Sequence, residues 1–378
     1  MHCSFPFRLF ATATCALSWG ANNAEAIMRW NQGKDQIHVT GSVAVALDSN
    51  IYTSADSPSD TVITGKYGME YRRQAGLIGV NADVGFTRGW FTANSSENYS
   101  NPDARVELTK DTGRTTGTVS FHGMRSSRAD PAANVRTDSW NYGTELNARY
   151  PVSERHHLTG SLGWNTKDYV DNTALIDLTT STLSADWFYV YTPERDLFGG
   201  YRLRISETSA LTTFTDHSLS LGVSGRILPK LNGTVRFGYQ VRSGSESSAE
   251  TFNGYNALAS VTWNVTRKMN LRLTGSKDFS TTSTSITTDT TSLSLDGQYA
   301  RTAKLNFGAG VSGGLNKFLG AIGGGREDLY FSYYGMIRYT FSERLRVGLN
   351  YTFYQNWSTL PFADFKRESL TFDASTRF

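Results

Sequence analysis

Lys366-Arg367-Glu368-Ser369-Leu370-Thr371-Phe372-Asp373-Ala374-Ser375-Thr376-Arg377-Phe378 alternates apolar and polar residues almost to its last position. In an extended chain successive side chains point to opposite faces. Leu370, Phe372, Ala374 and Phe378 therefore share one face, and Ser369, Thr371, Asp373, Ser375 and Arg377 share the other. An amphipathic helix would need apolar spacings of three and four instead. The stretch reads as a strand whose two faces meet different solvents.

The same period governs the chain upstream. From Ile78 to Thr87, Ile78, Val80, Ala82, Val84 and Phe86 alternate with Gly79, Asn81, Asp83, Gly85 and Thr87. From Gln36 onward no helical period persists. Hydrophobic residues make up 39% of the 378 residues, aromatics 13% with 19 Tyr, and Pro is scarce at 8. Mean hydropathy is −0.38, and no stretch supplies the roughly 20 apolar residues of a membrane helix. A polar average rich in Tyr and Gly fits strands that face lipid on one side and water on the other.

The amino terminus reads as a secretory signal: Arg8, an apolar core from Leu9 to Trp19, and an A-x-A site at Ala24-Glu25-Ala26. A buried helix and a lipidated Cys15 are the competing readings, and Thr12-Ala13-Thr14 is a poor lipidation context. Cleavage after residue 26 removes Cys3 and Cys15, so thiolate chemistry and disulfides are excluded from the mature chain. The formal charge of +3 gives no reason to expect a nucleic-acid partner.

Connections alternate in length. Short charged turns are expected at Arg72–Ala75, Asp111–Arg114, Pro151–Arg155, Thr192–Asp196, Leu228–Asn232, Thr266–Asn270, Arg301–Ala303 and Ser342–Arg344. Longer polar loops lie around 53–60, 92–103, 126–134, 170–176, 207–215, 244–252, 281–289, 316–327 and 358–364. Short turns on one side and long loops on the other mark the two ends of an outer-membrane barrel. The expectation is an all-β, transmembrane, antiparallel up-and-down β-barrel of eighteen strands over residues 36–378, with sixteen the alternative. It is preceded by a signal peptide (1–26) and a short periplasmic segment (27–35). None of its loops looks long enough to fold deep into the lumen.

Amphipathic rings sort to the interfaces. Tyr71, Tyr150, Tyr191, Trp263, Tyr299 and Tyr339 fall on the outward parity before short turns, and Trp90, Trp164 and Tyr239 fall on it near long loops. Two such belts are expected of a spanning barrel. The inward parity carries Arg202, Arg204, Arg226, Arg236, Arg242, Arg272, Arg338 and Arg346. Guanidinium groups stay charged and hold carboxylates in a fork, so these pore-lining arginines either select anionic solutes or brace the wall with acids such as Asp83, Glu145, Asp278, Asp296 and Asp373.

No catalytic pattern joins His38, His122, His156, His157 and His217, and the chain is not expected to be an enzyme. Asp48, Asp56, Asp60, Glu327 and Asp328 do not have the spacing of a calcium loop, and Gly323-Gly324-Gly325 reads as a loop tip. No metal and no cofactor is expected.

The run Asp48-Ser49-Asn50-Ile51-Tyr52 with Ser59-Asp60, the hairpin Val261-Thr262-Trp263-Asn264-Val265-Thr266-Arg267-Lys268-Met269-Asn270-Leu271, and terminal Phe378 resemble the beta-barrel porin 2 family of outer-membrane barrels. The resemblance spans the mature chain on degenerate motifs. It implies a porin-like role in the Gram-negative outer membrane and a part in passing or exporting an exopolysaccharide. Its implied partners are outer-membrane lipid and lipopolysaccharide, the barrel-assembly machinery, which reads Phe372 and Phe378, and a polysaccharide export apparatus. Thr376 departs from the assembly signal, where a large apolar residue or Tyr is usual. General diffusion and a non-conducting structural or receptor barrel are the alternative functions. Oligomeric state is not legible.

Overall fold

The structure, a computed structural model, describes residues 26–74, 76–130, 135–170, 175–245, 250–320 and 325–378. The expected signal sequence with both cysteines, Ala75, Gly323 and Gly324 lie outside the described residues. Nineteen strands follow one another: β1 (Met28–Trp30), β2 (Asp35–Asp48), β3 (Asp60–Arg73), β4 (Gly79–Phe91), β5 (Tyr99–Lys110), β6 (Thr116–Asp130) and β7 (Val135–Pro151). Next come β8 (His156–Val170), β9 (Leu178–Thr192), β10 (Arg195–Thr208), β11 (Thr213–Leu228), β12 (Leu231–Gly244) and β13 (Phe252–Trp263). The last are β14 (Met269–Thr281), β15 (Thr287–Ala300), β16 (Leu305–Phe318), β17 (Glu327–Thr340), β18 (Leu345–Ser358) and β19 (Phe365–Arg377).

Each of β2–β19 pairs antiparallel with its chain neighbours, and β19 pairs with β2, from Ser369↔Asp48 to Arg377↔Thr40. Phe378 extends that seam by exchanging backbone bonds of 2.9 Å with Val39 in both directions. An eighteen-stranded closed barrel results, as the alternation predicts, and closure leaves no free edge to seek another chain. β1 is an addition: Met28–Trp30 pairs with Asp35–Ile37 at the short-turn end.

Burial is inverted relative to a soluble sheet. On β11, Leu219 is 67% and Leu221 73% exposed, whereas Asp216, Ser218 and Ser220 on the opposite parity are buried. Outward Val43, Val45 and Leu47 on β2 and Leu329, Phe331 and Tyr333 on β17 repeat the pattern. Such a surface is stable only against hydrocarbon, where a barrel satisfies every backbone group between strands.

The long-loop connections are shorter than the sequence suggests. Residues 99–103 and 126–130 continue as strand, because hairpin pairing persists beyond the greasy belt. β6 and β7, at 15 and 17 residues, stay in register from Thr116↔Arg149 to Asp130↔Val135.

Candidate functional site

All eight arginines singled out above occupy positions that alternate with lipid-facing side chains. They lie on β10 (Arg202, Arg204), β11 (Arg226), β12 (Arg236, Arg242), β14 (Arg272), β17 (Arg338) and β18 (Arg346). The structure divides them. Arg226 pairs with Glu194 at a short turn, and Arg236 Nη2 meets Asp186 Oδ2 at 2.7 Å while its guanidinium lies 4.8 Å over Phe198. Arg272, Arg338 and Arg346, all near short turns, have no carboxylate within ion-pair distance among the described residues. Asp296, opposite Arg272 in register, instead accepts from the Tyr334 hydroxyl at 2.9 Å.

Toward the long-loop end, arginine and aspartate interlock. Arg202 donates through both terminal nitrogens to Asp278, at 2.9 and 2.8 Å. Arg204 Nε bonds Asp216 at 2.7 Å, Nη1 bonds Asp278 at 3.1 Å, and Nη2 bonds the Phe279 carbonyl at 2.6 Å. Arg242 is fully buried over the Phe214 ring, with Nη1 3.6 Å from Asp216 and a bond to the Thr281 hydroxyl. These bonds join β10 to β14, four strands apart in the sheet.

They can form because β14 leaves its neighbour. The β13–β14 ladder runs only from Trp263↔Leu271 to Ala257↔Lys277, while the β14–β15 ladder continues to Thr281↔Thr287. The outer end of this hairpin therefore leans inward. Phe279, on the lipid-facing parity, is only 3% exposed, and the Ser283 carbonyl accepts from the Ile176 amide of the β8–β9 loop at 2.9 Å. No loop is expected to be long enough to fold into the lumen; here it is the outer end of a strand pair that leans inward, which loop length does not signal.

A second hairpin narrows the mouth. Arg136 on β7 reaches Glu97 at 3.0 Å and lies 4.8 Å over the Phe91 ring of β4. Arg128, Ala129 and Arg136 share a cavity of about 240 Å³ with Asp48, Tyr354, Phe365 and Arg367 from the far side of the barrel seam. Inward Tyr330, Tyr354 and Phe365 stack in series, with centroids 5.9 and 5.5 Å apart. Tyr99 lies flat against Gly89, where a Cβ would sit 2.2 Å from its ring. Asp60 fixes the β4–β5 connection by accepting from the amides of Thr92, Ala93 and Asn94 at 3.1, 3.0 and 2.8 Å.

Sequence reasoning missed Asp186, Arg128, Arg136 and the stacked rings. Period two extended past the greasy belt would have placed Asp186 inward between Ser184 and Phe188. Nothing local marks Arg128 or Arg136, whose position depends on the hairpin's lean.

The belt aromatics Trp90, Tyr150, Trp164, Tyr191, Tyr239, Trp263, Tyr299 and Tyr339 are all exposed on the outer surface, as is terminal Phe378. Phe372 is exposed too, and Tyr71 is half-buried because its hydroxyl donates to Asp35 at 2.8 Å. Of the loop carboxylates weighed for calcium, Asp48 pairs with Arg367, Glu327 with Lys317 and Asp328 with Arg326. Among the described residues no three His, Cys, Asp or Glu converge to hold a metal. The histidines stay apart: His156 accepts from the Trp187 indole at 3.1 Å, and His217 shares a 2.7 Å bond with the Tyr201 hydroxyl on the outer surface.

No curated protein matches the chain. Among solved structures, Pseudomonas aeruginosa OpdK in its structure with vanillate superimposes with a TM-score of 0.51 at 10% identity, over 90% of this chain and 99% of its own. P. aeruginosa OpdL gives 0.51 at 12%, over 91% and 98%, and P. aeruginosa OccK9 (OpdG) gives 0.51 at 11%, over 91% and 98%. At such identities the likeness is one of fold. Residues 217–378, a little under half of the chain, match the family model described as Putative beta-barrel porin 2. The carboxy-terminal strands, from β11 onward, are thus similar to the family described as Putative beta-barrel porin 2, and the chain as a whole shares the closed-barrel fold of these solved structures.

Proposed function

We propose that the barrel is a channel for anionic solutes, acidic saccharides among them, and that a saccharide polymer could thread it only extended and in single file. The observation that carries this reading is the unpaired trio Arg272, Arg338 and Arg346 on the inner wall. Of the other five, Arg226 and Arg236 are each matched by an acid, and Arg202, Arg204 and Arg242 share Asp216 and Asp278, so most of that charge is cancelled at a distance. The unmatched three lie in a water-filled lumen where weak, repeated guanidinium contacts let an anion pass without stalling. The arginine–aspartate bonds from β10 to β14 and the Arg136–Glu97 pair place side chains at the mouth, which disfavours folded or branched polymers.

The test is current through the purified protein in a planar bilayer under a KCl gradient. A reversal potential favouring chloride is expected, and Arg272→Gln, Arg338→Gln and Arg346→Gln together should abolish that preference. Absence of current would remove the channel reading. Unchanged selectivity in the triple variant would remove the role of these arginines.

A further inference from the structure

The cavity beneath the β6–β7 hairpin brings together charged and aromatic side chains from both sides of the barrel seam. Three guanidinium groups border it, and two are matched one to one: Arg136 with Glu97 and Arg367 with Asp48. Arg128 forms no ion pair among the described residues, with Asp130 two positions along the same face of β6, so its guanidinium is the one at the cavity left to meet a ligand. Its remaining walls combine hydroxyl-bearing Ser369 with the aromatic surfaces of Tyr99 and Phe365. Charge on one side and mixed apolar and hydroxyl lining on the other suit a compact solute with a single anionic group. A volume near 240 Å³ has room for one six-membered ring.

We propose that this cavity is a capture site for a single ring bearing a carboxylate, with Arg128 as the group that reads the charge. The proposal rests on the anion-channel reading and deepens it by naming a ligand class and the end of the barrel at which it is met. Because the site is at the long-loop mouth and is bounded by a hairpin on one side and the barrel seam on the other, a bound ring bridges the two. It would hold the hairpin against the wall. A solute reaching the lumen from the short-turn end would meet Arg272, Arg338 and Arg346 before it met this site. Occupancy should therefore depend on the side of addition.

Calorimetry on the full barrel in detergent micelles tests the site without requiring conduction, so its failure is separable from failure of the channel reading. Galacturonate and benzoate are the two probes, since a sugar acid and an aromatic acid share the chemistry. Glucose and acetate are the controls for ring and charge alone. Saturable binding of one or both ring carboxylates is expected, with glucose and acetate at least about ten-fold weaker. Arg128→Gln should weaken that binding by about ten-fold or more, the loss of one charge-assisted hydrogen bond, and Arg128→Lys by less. Galacturonate alone binding would assign a sugar acid, and benzoate alone an aromatic acid. No binding by either, acetate binding as tightly as the rings, or Arg128→Gln binding as tightly as the parent protein would each overturn the assignment.

Discussion

Replacing Asp278 with Asn should release the inward-leaning β14–β15 hairpin. Asp278 accepts three charge-assisted hydrogen bonds, two from Arg202 and one from Arg204. With its charge removed, Arg202, Arg204 and Arg242 remain gathered around Asp216 alone. Breaking a buried pair by removing one partner costs about 3–5 kcal/mol. Arg202 and Asp278 each keep about a quarter of their side-chain surface exposed, so water screens part of that, and about 2–3 kcal/mol is the reasonable charge to the folded-in position. At ~1.4 kcal/mol per ten-fold change in an equilibrium constant, this moves the in/out balance of the hairpin roughly 30- to 150-fold.

The ladder to β13 offers no resistance above Ala257↔Lys277, so the change should appear locally and leave the barrel closed. Amide exchange over residues 278–286 should accelerate, single-channel conductance should rise, and gel mobility of the unheated barrel should be preserved. Asp278→Glu, which keeps the charge, should recover most of the original behaviour. If Asp278→Asn leaves both exchange and conductance unchanged, the arginine–aspartate cluster does not hold the hairpin and the account of the mouth is wrong.

Two further outcomes follow from the walls of the barrel. Leu219→Arg places a guanidinium on a lipid-facing site that is 67% exposed; at the bilayer midplane this costs about 2–4 kcal/mol, measurable as a lowered urea midpoint in lipid vesicles. Gly222→Leu sets a Cβ 2.3 Å from the Phe198 ring and 2.5 Å from the Val235 carbonyl. Backbone cannot give way as a side chain can, so destabilisation of at least about 1–3 kcal/mol is expected. A neutral result in the same unfolding assay would show that the ring and its Arg236 contact are loosely packed.

The eighteen strands were legible because lipid on one face and water on the other enforce a strict period of two, and a one-residue slip would turn Leu219 and Asp216 inside out. Ser218 and Ser220 could be placed inward by counting alone, and so could each of the eight arginines. What counting cannot supply is curvature. Arg202 and Asp278 are 76 residues and four strands apart, and parity says only that both face inward. Whether they meet depends on where a ladder stops, and no residue in Ala257 or Lys277 announces that the pairing ends there. Phe279 shows the consequence: its parity assigns it to lipid, yet it is buried because its strand has left the wall. The stacked Tyr330, Tyr354 and Phe365 were readable as inward by the same counting, but not as neighbours.

Under the proposed anion-channel reading, bracing and selecting are not rival roles for the lumen arginines; position along the axis divides them. At the long-loop end, a guanidinium must hold two strands that no ladder joins, and it can do so only with its charge matched, because an unmatched buried cation costs several kcal/mol. Arg202 and Arg204 meet that condition through Asp278 and Asp216, while Arg242 shares Asp216 with Arg204 at 3.6 Å and rests on the Phe214 ring. Near the short turns the adjacent ladders are complete: β16, β17 and β18 pair along their full lengths, and the β14–β15 ladder is continuous past Arg272. No strand there needs an ion pair to hold it, so Arg272, Arg338 and Arg346 can stay unmatched in water at little cost. In that reading an arginine without an ion pair acts on a passing anion, because a matched pair falls off as a dipole while an unmatched charge persists to about the Debye length, ~8 Å at physiological salt, and Asp296 opposite Arg272 offsets part of the field there. Raising ionic strength should accordingly erode anion preference well before it loosens the mouth, since the first depends on exposed charge and the second on desolvated contact.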